Sequence, residues 1–255
     1  MKKIKLIALK PYLMVFSCVF IFTLLSSAKL GIFKASTSKI QADFPVRSLV
    51  PSFVITEVKI QNGNVLLSLR NDSNKTITAF SWSSSDVIYR SEMVGSANPI
   101  APGAIKEKLC GLPSPTSSEK GITILAVVYE DGTSDGVAKF VKQILDERAG
   151  TQAQISRILP LFRDALATPT SKRLMKKREE IKLKLEQLPE DEEGQSLEFR
   201  IGLHNEKERA IDSLKQLEQI EQERGEEIAR QTLPHIVNGY EKRNLAILKS
   251  LKQAR

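Results

Sequence analysis

The residues that come nearest to doing chemistry lie in the run Asp131-Gly132-Thr133-Ser134-Asp135-Gly136. Oxygen-bearing side chains at its first, third and fifth positions match the opening half of a calcium loop, so Asp131, Thr133 and Asp135 are the candidate metal ligands. Calcium takes about six to eight oxygens, and an EF-hand completes the set with a bidentate Glu at its twelfth position. Counting from Asp131, that position is Lys142, a cation that repels the ion. The residues before Asp131 follow a strand pattern, where an EF-hand needs a helix. The competing reading is a polar β-turn that uses Gly and Asp for their backbone freedom.

Other reactive residue types are scattered. Glu130 and Asp131 are adjacent, and adjacent side chains of a strand point to opposite faces, so they cannot work as an acid/base pair. His204 and His235 sit among charged helical residues, and Cys110, His204 and His235 have no zinc-ligand spacing. The pattern Asn-x-Ser/Thr occurs at Asn71 and Asn74, where turn chemistry accounts for it. There is no phosphate loop or His-Glu-x-x-His. An enzyme is not expected, and no cofactor is implied.

The elements that would position these residues are strands first and helices after. Phe53 to Ile60 alternates, Asn62-Gly63 is a strong hairpin signal, and Val65 to Leu69 returns. Further strands are expected at Thr76 to Trp82, Asp86 to Tyr89, Ile105 to Leu109, Ile122 to Tyr129 and near Val137. Ile122 to Tyr129 is almost continuously apolar, so it should be central and buried on both faces. Short strands and turns at this spacing favour an antiparallel β-sandwich over residues 53–138. Leu69-Arg70-Asn71, Lys75-Thr76-Ile77-Thr78-Ala79 and Val127-Val128-Tyr129-Glu130-Asp131-Gly132-Thr133 resemble a group of uncharacterised exported bacterial proteins with an immunoglobulin-like domain. The resemblance covers roughly residues 53–165. It implies a fold and carries no functional residue, because the group has no assigned activity.

From Gly136 the period becomes helical. Val137, Phe140, Val141, Ile144 and Leu145 share a face, as do Ile155, Ile158, Leu159 and Phe162, with Arg148 and Gln152 interrupting the stripe. A helix over 139–168 should dock on the sandwich, with Pro160 kinking it or beginning a new turn. Residues 172–255 read as a charged helical tail of three helices: 172–188 with the seam Leu174, Ile181, Leu185 and Leu188, then Gln195 to Thr232, then Pro234 to the end. Such thin seams favour a helical hairpin or an intermolecular coiled coil.

The N-terminus has Lys2, Lys3, Lys5 and Lys10 ahead of an uncharged run from Pro11 to Ala28. Residues 1–35 are therefore a signal peptide or a signal anchor. Ser26 and Ala28 suit cleavage, and the length lies at the lower edge of what spans a bilayer. Cys18 lies inside the hydrophobic run, which suits a small apolar residue better than a lipidated one. Residues 36–52 read as a linker. The formal net charge is +8. Setting aside the four leader lysines leaves 34 basic residues (38 − 4) against 30 acidic ones. That balance is too mild for a nucleic-acid partner.

The expected fold class is thus α+β: an N-terminal hydrophobic helix, a small immunoglobulin-like antiparallel β-sandwich, then long coiled-coil-like C-terminal helices. The expected role is a non-catalytic, extracytoplasmic, membrane-associated interaction or structural protein in the cell envelope, or secreted if the leader is cleaved. Its expected contacts are the membrane, through the N-terminal helix, and a partner protein or second copy, through the tail. The alternative is a ligand- or cation-binding module with the 131–136 turn as its site.

Overall fold

A computed structural model describes residues 44–85, 87–94, 98–111, 121–167 and 174–254. The leader expected over 1–35, with Cys18, and the first part of the linker lie outside the described residues. Among the described residues eight strands run in the order β1 Val46–Ser48, β2 Phe53–Gln61, β3 Asn64–Asn71, β4 Ile77–Ser84, β5 Val87–Glu92, β6 Ile105–Gly111, β7 Ile122–Tyr129 and β8 Ser134–Gly136. Four helices follow: α1 Ala138–Leu166, α2 Leu174–Glu186, α3 Leu197–Arg224 and α4 Glu226–Gln253. The class is α+β, with the strands first and the helices after.

The hairpin at Asn62-Gly63 closes because both residues take left-handed backbone angles, φ +48° and +73°. It joins β2 to β3, and β6 pairs with the other edge of β3. The second sheet has the order β1-β7-β4-β5, with β8 also on β7. Its pairings are antiparallel except β1 with β7, where Val46 lies opposite Ile122 in a parallel register. The expected linker therefore contributes a strand.

All eight residues of β7 are buried, because both faces of its sheet are covered. Ile122, Ile124, Val127 and Tyr129 enter an apolar cluster with Val65, Leu67 and Leu69 of the other sheet. Ala126 and Val128 pack on Ile144 of α1 from the opposite face. The expected docking face of the helix is used: Phe140, Val141 and Leu145 flank that contact.

Farther along, α1 turns Ile155, Ile158 and Phe162 into a cluster shared with Ile181 and Leu185 of α2, Leu214 of α3 and Ile247 of α4. Leu174, Ile181 and Leu185 are buried, inside their own chain. One helix boundary is corrected. Helix α3 ends at Arg224 and α4 begins at Glu226, while Pro234 lies inside α4. Gly225 makes the break at φ +91°, a conformation that L side chains avoid. Pro160 lies inside α1. Leu197 and Ile228 are exposed. The buried positions of α3 are Leu203, Ala210, Leu214 and Leu217. Among the described residues no helix is long and apolar enough to cross a membrane.

Candidate functional site

The 131–136 turn does not gather its three oxygen-bearing residues around one point. Asp131 Oδ1 accepts from the Thr133 amide at 3.0 Å and from its hydroxyl at 2.6 Å. The Lys75 ammonium lies 2.8 Å from Asp131 Oδ2 and 2.8 Å from Thr133 Oγ1. A lysine thus stands against two of the three oxygens that a cation would use. Asp135 faces elsewhere: its Oδ2 accepts from the Ser52 hydroxyl at 3.3 Å. Among the described residues no group of three or more His, Cys, Asp or Glu could hold a metal ion. Partial burial opposes the charge of Asp131, but the bonds from Lys75 and Thr133 together outweigh it and hold the carboxyl at about 2.

Gly132 gives the turn another use. It has φ +84°, and a Cβ there would lie 2.5 Å from the Ser250 carbonyl oxygen and 2.9 Å from Gln253 Cβ. The turn is the seat of the last turn of α4.

The remaining candidates are structural. Asn71 is fully buried and donates to the carbonyls of Lys75 and Ile100. Cys110 is buried, and burial pushes its thiol up to about 11. His204 pairs with Glu190 at 2.9 Å on the surface, and His235 is exposed. Trp82 packs against Phe80 with ring centroids 5.3 Å apart.

The densest polar chemistry lies where the sheet meets the helices, around Arg148. Its side chain is 0% exposed, between the two apolar stretches of α1 that end at Leu145 and begin at Ile155. Nε donates to Glu92 Oε2 at 2.8 Å, and Nη2 donates to Glu92 Oε1 at 3.1 Å and to Thr78 Oγ1 at 2.9 Å. Nη1 donates to Ser250 Oγ. Thr78 passes its own proton to the Val128 carbonyl, and Glu92 Oε1 also accepts the amides of Met93 and Val94. One guanidinium therefore ties β4, β5 and α4 to α1. A buried ion pair is tolerated only when its remaining donors and acceptors are satisfied in this way.

One half-buried pair and one buried pair extend the junction. Arg90 of β5 donates to Glu147 of α1 at 2.8 Å. Burial pushes the Glu147 carboxyl up, against the pull of Arg90. Arg243 of α4 lies 3.2 Å from Glu206 of α3 and donates to the Val94 carbonyl at 2.9 Å. Burial raises the Glu206 carboxyl against the attraction of Arg243, and burial lowers the Arg243 guanidinium.

No motif in the sequence marks this junction. Its one trace in the sequence is Arg148 itself, a charge inside a helical apolar stripe. Beside it lies a cleft of about 400 Å³ whose wall includes Thr78, Glu130, Lys242, Lys249 and Ser250. No family model, curated protein or solved structure matches the chain.

Proposed function

We propose that this chain is a non-catalytic, membrane-associated interaction or structural protein whose folded part stands outside the cytoplasm. One observation carries the reading: the buried ionic groups, Arg148 with Glu92 and Arg243 with Glu206, pair with one another across the joints between elements. They brace the strand module and the helices into one body. Part of the same proposal is that the two sheets form an immunoglobulin-like sandwich; the apolar cluster they share supports it. Association with a partner protein or a second copy is assigned to the helices, whose outer faces carry exposed Met175 and Leu183.

The membrane part rests on Lys2, Lys3, Lys5 and Lys10 followed by the uncharged run Pro11 to Ala28, the pattern of an export signal or anchor. A C-terminal fusion to alkaline phosphatase, which is active only outside the cytoplasm, tests it. The fusion should be active. The mature chain should either stay with the membrane through carbonate extraction or begin at Lys29. An inactive fusion retained in the cytoplasm would overturn the proposal.

The second reading, a cation-binding turn at 131–136, requires an ion to displace Lys75 from Asp131. Calorimetry with calcium tests it directly: no heat and no change in melting temperature would remove it.

A further inference from the structure

We propose that the cleft between the end of α4 and the edge of the β4–β5 sheet binds a small organic carboxylate with an apolar body. On α4, Lys242, Ala246, Lys249 and Ser250 fall at helical spacings that share one face, and all four line the cleft. This face carries two ammonium groups and a hydroxyl. Among the described residues no ion pair engages Lys242 or Lys249, so both ammonium groups are open to an anion in the cleft. The sheet side supplies Glu130, which also has no ion pair among the described residues, so the lining carries two positive charges and one negative.

At the wall Ser250, 1% exposed, accepts from Arg148. Among the described residues its own proton goes to no acceptor, even though other helical hydroxyls, such as those of Ser156 and Ser213, donate to the carbonyl four residues back. A buried O–H with its proton unassigned beside a cleft is a donor offered to whatever fills that cleft. Arg148 cannot serve in its place, because Glu92 already neutralises it.

The charge count selects the ligand. A carboxylate brings one negative charge, which the lysines and the Ser250 hydroxyl can meet. The lining's net charge is a single positive one, so a dianion such as a phosphate monoester would leave an excess negative charge in the cleft. Met93, Val94 and Pro99 complete the lining with apolar surface for the rest of the molecule. The volume, about 400 Å³, lies within the range of small-molecule sites.

Phenylacetate and its uncharged isostere phenylacetamide are suitable probes, titrated into the full chain while the amide signals of Val94, Ala246 and Ser250 are followed by NMR. Lys242 and Lys249 are exposed, so Lys242→Ala and Lys249→Ala should fold normally, and circular dichroism verifies that. Phenylacetate should shift those signals saturably, phenylacetamide should bind at least about ten-fold more weakly, and the double lysine variant should lose a similar factor. Comparing wild type with the variant subtracts any uptake by the hydrophobic leader. Equal binding of acid and amide, unchanged affinity in the lysine variant, or no saturable shift at millimolar phenylacetate would each overturn the proposal.

Discussion

Gly150 of α1 and Gly202 of α3 bring two helices into backbone contact. A Cβ at Gly150 would overlap the Phe199 carbonyl oxygen, and a Cβ at Gly202 would overlap the Glu147 carbonyl oxygen. The obstructing atoms are main chain in both cases, so no rotamer change can relieve the clash. Gly150→Ala and Gly202→Ala should each force the helices apart and cost about 1–3 kcal/mol, the usual range for overpacking. Urea unfolding of each variant measures this; a variant as stable as wild type would mean that the helices do not cross here.

The crossing lies close to Arg148, whose pairing with Glu92 gives a second prediction. Arg148→Met leaves the Glu92 carboxylate facing an apolar side chain and removes a donor from Thr78 and Ser250. Breaking one partner of a buried pair costs about 3–5 kcal/mol. Glu92 is 18% exposed and keeps two backbone amides, so the lower end of that range is expected. Adding Glu92→Gln should cost less than the two single changes summed, by about 0.5–3 kcal/mol, as contacting residues do. A thermodynamic cycle on the four proteins provides the value, and strict additivity would show that the two side chains do not interact.

Asp131 sets an acid-side prediction. Its carboxyl is held at about 2 in the folded protein, against about 3.9 for a free aspartate. The folded state therefore binds this proton more weakly than the unfolded chain does. The resulting stability is present above the unfolded value and is lost as pH falls through the folded one. Wild-type stability should decline between about pH 4 and pH 2 partly for this reason. Asp131→Asn should show a shallower decline over that window, because the group that titrates is gone. Parallel slopes would mean that Lys75 and Thr133 do not hold Asp131 in solution.

The seam of α2 offers a fourth. Ile181 is 3% exposed and Leu185 is fully buried, within a cluster that includes α1, α3 and α4. Replacing both by Asp puts two carboxylates into that apolar cluster, which costs several kcal/mol in all. The loss should lower the unfolding midpoint of the sheet as well as that of the helices, since α1 is packed into both. Fluorescence of Trp82, which lies in the sheet core, reads the sheet; a midpoint unchanged by the double substitution would show that the seam belongs to a separate tail.

Much of the strand order was legible. Asn62-Gly63 announces its hairpin through the two left-handed angles it must adopt, and Ile122 to Tyr129 announces burial on both faces through the absence of alternation. Strand β1 was hidden, because Val46–Ser48 has only three residues and depends on a parallel neighbour far along the chain. The break between α3 and α4 was placed at Pro234, the stronger helix breaker by type. Gly225 makes it instead, since apolar positions continue at helical spacing through Ala229, Leu233 and Val237. The junction around Arg148 could not be read at all. Its partners lie between 56 and 102 residues away, and a polar residue in an apolar stripe looks the same whether it snorkels to solvent or anchors a buried pair. Gly150 and Gly202 were equally silent, because close approach leaves no pattern in either helix alone.

The central structural claim is that strands and helices are one cooperative body joined through α1 and Arg148, rather than a strand domain carrying an independent tail. Thermal unfolding of the full chain, followed at once by Trp82 fluorescence and by circular dichroism at the helical band, tests it most directly. Trp82 is the sole tryptophan, so the first signal reports the sheet and the second is dominated by the helices. The two curves should coincide in wild type and should move down together in Arg148→Met. A helical transition that precedes the Trp82 transition, with Arg148→Met shifting only one of them, would contradict the claim.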